Sequence, residues 1–221
     1  MRLLLAGLLA VTCLFQALPA DAREGGALSA VVVNDRPILD LLGDIEGPDG
    51  YGDITGHANI APDRPITEMT IEEVLQYQKQ VIQSGAASSA MGRYQFIRKT
   101  LAAMVERHGL DGDQPFDART QDFLARRMLA GCGFYSPEVS ETAIGNCLAR
   151  TWAALPMISG KKAGRSYYHG QAGNAAKTTS GEVLKVLERR FDAQPVRVAS
   201  APIRIVYPDD GRHADPIPVR H

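Results

Sequence analysis

The chain is 221 residues long, 45% hydrophobic and 22% charged, with a formal net charge of −1 at pH 7. That length carries one domain with a hydrophobic core of its own and does not require two. A balance so close to neutral gives no electrostatic case for nucleic acid or an anionic membrane as partner.

Met1 and Arg2 form a short positive start, Leu3 to Phe15 an apolar run, and Ala20-Asp21-Ala22 places small residues where a signal peptidase reads them. The pattern predicts a signal peptide over residues 1–22 and a mature protein in the periplasm or outside the cell. As a membrane anchor the run is too short, since about 20 apolar residues are needed to span a bilayer. Thr12 stands where a lipidated cysteine is preceded by Gly, Ala or Ser, which argues against lipidation of Cys13. Removing 22 of the 221 residues leaves 199, with Cys132 and Cys147 as an even pair of cysteines in an oxidising compartment. A disulfide between them and two buried thiols are both open at this point.

Asp35 followed by Pro37 reads as a helix start, and Ile38, Leu41, Leu42 and Ile45 recur on one face until Gly47-Pro48 stops the helix. Glu46 is therefore its last residue or close to it. Gly50 to Asn59 is short, rich in Gly and Asp, and suits a small hairpin or an irregular strand pair. Thr70 and Glu73 announce a second helix as a capping box, followed by Val74, Leu75, Val81 and Ile82 and ended by Gly85. Helical spacing resumes after Arg93 with Ile97, Leu101, Met104 and Val105 and closes at Gly109. Two further helices are expected over Asp117 to Leu129 and Pro137 to Leu155, with Cys132 in the turn between them and Trp152 in the core. Thr179 and Glu182 form another capping box before Val183, Leu184, Leu187 and Phe191.

The expected domain thus spans residues 23–193, with about six helices and one small β element. Residues 194–221 contain five prolines among charges and isolated apolar residues, the composition of a disordered tail. Ile203, Ile205 and Val206 offer at most a short strand to a partner.

The sequence has no Gly-rich phosphate loop, no G-x-S-x-G elbow and no H-E-x-x-H motif, and its five histidines are scattered. No cofactor and no metal site is expected, which leaves acid catalysis by a carboxyl group. Glu46 at a helix C-terminus faces the negative end of the macrodipole, and its apolar neighbours Leu42 and Ile45 desolvate it. Both effects favour the protonated form that a general acid needs near neutral pH. On position alone, a solvated surface glutamate is the commoner outcome.

Three segments strengthen the case for Glu46. Ile45-Glu46-Gly47-Pro48-Asp49-Gly50-Tyr51-Gly52-Asp53-Ile54, Ser89-Ala90-Met91-Gly92-Arg93-Tyr94-Gln95-Phe96 and Thr151-Trp152-Ala153-Ala154-Leu155-Pro156 occur in this order. Together they resemble the bacteriophage lambda endolysin family of the lysozyme superfamily, over Asp35 to about Phe191. The Gly-Arg-Tyr-Gln stretch is the sharpest match. The loop from Met157 to Ala176 is longer and more polar than the phage version, and a signal peptide and proline-rich tail are unusual there.

The resemblance implies an α+β, mostly helical lysozyme-like fold with a small hairpin, and a cleft between that hairpin and a helix opened by Tyr94 and Gln95. It implies cleavage of the MurNAc-GlcNAc bond of peptidoglycan with Glu46 as acid and then base, by a lytic transglycosylase route needing no second carboxylate. A hydrolytic muramidase would instead use water with Asp53 or Asp49 as partner. Gln95 suits the hydroxyl and N-acetyl groups of an amino sugar, and Tyr94 a sugar face, although a core aromatic explains Tyr94 as well. Arg93 has an ion pair as its alternative. Tyr168 and Gln171 are candidates for the far wall, where a flexible glycine-rich loop is the rival explanation. Peptidoglycan strands are the expected partner, with a secretion or envelope complex as a further one. A non-catalytic peptidoglycan-binding module is the rival class of function.

Overall fold

The computed structural model describes residues 29–30, 33–171, 173–191 and 196–197. The expected signal peptide and nearly all of the tail lie outside the described residues. The described part is helix-rich: α1 (Arg36–Glu46), α2 (Ile71–Gln83), α3 (Arg98–His108), α4 (Ala118–Gly131), α5 (Glu141–Thr151) and α6 (Ser180–Glu188). The strands β1 (Ser29–Ala30) and β2 (Val196–Arg197) pair antiparallel, Ser29 opposite Arg197 and Ala30 opposite Val196, joining the two ends of the domain.

Local chemistry sets most helix starts. The Thr70 and Thr179 side chains each accept from the N3 backbone N–H while Glu73 and Glu182 return the bond, completing both capping boxes. Asp117 and Ser140 cap α4 and α5 by accepting from Thr120 N and Ala143 N. The Ser140 cap starts α5 later than Pro137, and the chain leaves the helix at Trp152, well before Leu155. Asp35 precedes α1 but does not cap it; its buried carboxylate instead accepts from Arg126 Nε at 2.9 Å and the Tyr135 hydroxyl at 2.8 Å. Residues 41 and 39 exchange emphasis on α1, where Ile38, Leu39, Leu42 and Ile45 are buried and Leu41 only packs at the edge. On α2 the face turns likewise toward Tyr77 and Gln78, leaving Ile82 exposed.

Two expectations fail together around the Gly-Arg-Tyr-Gln stretch. Residues 50–59 do not close into a hairpin of their own; Gly50–Gly52 is a 3-10 turn, and Ile54 bridges to Met91 across the sequence. Nor does helix begin at Arg93. Met91 bridges to Phe96, Gln95 N–H closes onto the Gly92 carbonyl at 3.0 Å, and α3 starts only at Arg98. The reason is local: Gly92 (φ 80°) and Gln95 (φ 48°) both occupy the left-handed region, which a right-handed helix excludes. The β character expected of this region therefore lies in bridges among Ile54, Met91 and Phe96.

One core collects Leu42 of α1, Val74 of α2, Leu101 of α3, Leu124 of α4, Leu148 of α5 and Leu187 of α6, all fully buried. Phe96 lies between Tyr94 and Phe116 in successive edge-to-face contacts at 6.0 and 6.1 Å. Cys132, which ends α4, is disulfide-bonded to Cys147 in α5 with their Cα atoms 5.5 Å apart.

Candidate active site

Glu46 is the last residue of α1, and the glycine after it explains its setting. Gly47 presses against the Gly-Arg-Tyr-Gln turn so closely that a Cβ there would lie 2.7 Å from the Arg93 carbonyl oxygen and 2.8 Å from that of Gly92. No side chain fits, so the chain turns at once and leaves the Glu46 carboxyl at the floor of a cleft of about 870 Å³. One side of Glu46 faces that cleft, while protein packed around the carboxyl elsewhere desolvates it. Its Oε1 accepts from the backbone N–H of Ala154 at 2.8 Å.

Burial pushes the Glu46 carboxyl above the ordinary glutamate value, opposed by the Ala154 hydrogen bond and the positive charge of Lys177. Lys177 is tied in twice: its Nζ donates to the Ile45 carbonyl at 2.8 Å, and its backbone N–H to the Ala154 carbonyl at 2.8 Å. Residues 45, 154 and 177 thus enclose the acid from both peptide directions.

The cleft gathers Glu46, Asp49, Asp53, Tyr94, Gln95 and Tyr168. Gln171 is not among its lining residues and lies exposed in the turn after Tyr168. Asp53 is nearly buried, its Oδ2 accepting from Asp49 N–H at 3.1 Å. Burial, and the nearby Asp49 carboxylate, raise its carboxyl above the usual aspartate value. Its backbone carbonyl accepts from Gly92 N–H at 2.7 Å, and Thr55 N–H donates to Ala90, so residues 53–55 are laced to 90–92.

Tyr94 adopts its core alternative. Only 1% of it is exposed, its hydroxyl donates to Asp122 at 2.6 Å, and its ring meets Tyr51 edge-on at 6.4 Å. Burial, and then the Asp122 carboxylate, hold that hydroxyl far above the ordinary tyrosine value. It contributes an edge of the cleft wall rather than a face for a sugar to stack on. Gln95 is half-buried at the cleft, its amide Nε2 donating to the Gly92 carbonyl at 3.0 Å. Arg93 also takes its structural alternative, pairing with Asp40 at 3.3 Å and Asp44 at 3.5 Å. Trp152 is 3% exposed as expected of a core residue, and its indole N–H donates to the Tyr94 carbonyl at 3.1 Å.

Several contributors had no sequence signal. The buried Asp122 accepts from Tyr51 at 2.8 Å as well as from Tyr94, with Arg36 and Arg126 each 3.8 Å away. The neighbouring Gln121, fully buried, accepts from Arg93 N–H at 2.9 Å and donates to the Tyr51 carbonyl at 2.9 Å. These two adjacent residues of α4 fasten the Gly-Arg-Tyr-Gln turn and the Tyr51 turn from behind. Lys177, Arg150 and Asn174 join the cleft lining, each far in sequence from the acid.

Among the described residues no group of three or more His, Cys, Asp or Glu is placed to hold a metal ion. A second hollow of about 210 Å³ beside α2 is lined by Arg64, Glu72 and Glu73 among others, of which Arg64 and Glu73 pair at 2.5 Å and Glu73 completes the α2 cap. Comparison with family models, curated proteins and solved structures finds no match to this chain.

Proposed function

We propose that the protein is an exported peptidoglycan-cleaving enzyme with a lysozyme-like α+β domain, acting on the MurNAc-GlcNAc glycosidic bond as a lytic transglycosylase. The observation that carries the reading is the Glu46 carboxyl: helix-terminal, desolvated, hydrogen-bonded to Ala154 N–H and open to a cleft large enough for sugar rings. A carboxyl raised above its ordinary value keeps its proton until a leaving oxygen takes it.

In the proposed reaction Glu46 gives its proton to the glycosidic oxygen as the C1–O bond breaks. Positive charge develops at C1, and the carboxylate so formed takes the proton of the same sugar's 6-hydroxyl as that oxygen bonds to C1. The product is a 1,6-anhydro ring, Glu46 ends protonated, and no water is consumed. Gln95 is the candidate for holding an amino-sugar substituent, and Tyr168 for the cleft edge. Removal of a signal peptide near Ala22 would place the enzyme in the periplasm or outside the cell, where wall opening for secretion or remodelling is the setting that fits.

A hydrolytic muramidase with Asp53 as partner has one specific support. Asp53 lines the same cleft, with burial raising its carboxyl above the usual aspartate value. The deciding experiment is mass spectrometry of muropeptides released from peptidoglycan by the mature protein and by Glu46→Gln. Anhydro products, lighter than hydrolytic ones by about 18 Da, are expected, with release by the variant reduced about 10³-fold. Reducing-end products would transfer the assignment to the hydrolase, and full activity of the variant would end the role of Glu46.

A further inference from the structure

We propose that the segment from Arg150 to Lys177 forms a carboxylate-recognition wall that selects glycan strands bearing free acids on the lactyl or stem-peptide side of the sugar chain. This deepens the reading of the cleft as a glycan-cleaving site and rests on it.

The first observation is charge segregation. Between Glu141 and Glu182 the chain contains five Lys or Arg residues and His169 but no acid. Yet the cleft's carboxyl groups, Glu46, Asp49 and Asp53, all come from the other end of the chain. In a protein of net charge −1 this is a local excess, not a global one.

The second observation is the lack of internal partners. Arg36, Arg64, Arg93, Arg126 and Arg190 are each paired with a carboxylate. Among the described residues, Arg150, Lys161, Lys162 and Arg165 are exposed and form no ion pair; other surface cations such as Arg98 and Arg127 also form none, but these four fall in one segment without an acid, while the charge of Lys177 acts on Glu46 and Asp53.

Third, Arg150, which lines the cleft, and Lys162, which shares the Tyr167 ring with it, are held in place by other means. Arg150 and Lys162 both lie over the Tyr167 ring, at 5.5 and 4.8 Å from its centroid. Lys162 Nζ donates to the Tyr167 carbonyl at 2.5 Å and Arg150 Nη1 to the Asn146 carbonyl at 3.1 Å. The Tyr168 hydroxyl donates to the Arg150 carbonyl at 2.5 Å, which couples this cluster to the cleft edge, and Arg150 itself lines the cleft. Cations ordered before binding lose less rotamer entropy when an anion arrives.

The chemistry then names the ligand. Sugar rings and N-acetyl groups are uncharged and offer these cations hydrogen-bond acceptors alone, whereas a carboxylate also answers their charge and binds more strongly. The anions on such a strand are carboxylates, supplied by stem peptides or, after their removal, by the bare lactyl group.

The test compares three substrates: intact peptidoglycan, the same material with its carboxyls converted to amides, and amidase-stripped strands that keep only lactyl carboxylates. Release by the wild type is expected to show a KM about fivefold higher on the amidated substrate, the upper range for exposed ion pairs, and the difference should shrink in salt. The double substitution Arg150→Gln with Lys162→Gln should raise KM by a similar factor on intact peptidoglycan and leave it unchanged on the amidated form. The charge-conserving pair Arg150→Lys with Lys162→Arg should restore it, which separates charge from folding. Stripped strands cleaved like the intact substrate show that the bare lactyl carboxylate can take the place of the peptide's, and stripped strands cleaved like the amidated substrate assign the peptide carboxylates alone. Equal KM on intact and amidated substrate, with robust cleavage of both, overturns the inference but not the enzyme. No cleavage of any substrate overturns the enzyme instead.

Discussion

The two sets of residues that border the cleft are built in different ways. Residues 49–57 and 88–97 are bound to each other and to the buried centre of α4, where Asp122 and Gln121 receive Tyr51, Tyr94 and Arg93. Residues 150–177 are held by tight turns, by Tyr168 on Arg150, and by the two bonds of Lys177. The first set carries the acids and a buried polar network. The second carries the cations and is mostly exposed. Glu46 sits where they meet, its own helix leading into the first set and its carboxyl bonded to the second through Ala154. Under the proposed function the difference is a division of labour: the first side fixes the shape of the cleft through its buried network, and the second holds the Glu46 carboxyl through Ala154 and presents exposed cations.

The strongest way to break this comparison is Asp122→Ala. Four groups converge on that carboxylate, and removing it leaves two tyrosine hydroxyls and part of two guanidinium charges without their partner in the interior. A loss of about 3–5 kcal/mol is expected in chemical denaturation, as for other broken buried networks. A loss below about 1 kcal/mol would show that the first side is not anchored there.

A smaller effect concerns the junction. The folded Glu46 carboxyl titrates above its unfolded value because burial disfavours its charge. The unfolded chain thus releases this proton at lower pH than the folded one, so stability falls as pH rises from about 4.5 through the raised folded value and levels off above it. Glu46→Gln carries no such proton. Its melting temperature relative to the wild type should therefore rise across that window and then stay constant. A difference that stays flat or declines with pH would mean that Ala154 and Lys177 outweigh the desolvation. On the same grounds, activity should decline above the folded value, where the acid has lost its proton.

The smallest effect belongs to the second side. Tyr168→Phe removes one exposed hydrogen bond and should cost no more than about 1 kcal/mol in thermal unfolding. Cleavage should be affected more than stability, because the loop that carries Tyr168 loses its link to Arg150 at the end of α5. A cost similar to that of Asp122→Ala would erase the distinction between the two sides.

How much of this was legible in the sequence depends on the range of the interaction. Both capping boxes, the termination at Gly47-Pro48, the left-handed Gly109 and the even pair of cysteines could be read directly, because each rests on residues a few positions apart or on simple counting. The position of Glu46 at the end of α1 was legible for the same reason. The hairpin was not. Alternation and turn residues over Gly50 to Asn59 say only that the segment is not helical, and its partner, Met91, is 37 positions beyond Ile54. The start of α3 was hidden as well, because glutamine carries no preference for the left-handed conformation that Gln95 adopts (φ 48°), so nothing in the residue types announces it.

By itself, then, the sequence determined where the capped helices begin, at Thr70, Asp117 and Thr179, and where Gly47-Pro48 ends α1, since caps and breakers act within one turn of backbone, and it singled out Glu46 as the candidate acid. Only the tertiary structure decided what surrounds that acid. Ala154 reaches Glu46 over 108 residues and Lys177 reaches Ile45 over 132, while Tyr94 turned inward because Asp122, 28 residues away, offered its hydroxyl a buried acceptor. Desolvation is a property of all the atoms packed around a carboxyl. It comes into being when distant segments meet, and no local pattern encodes it.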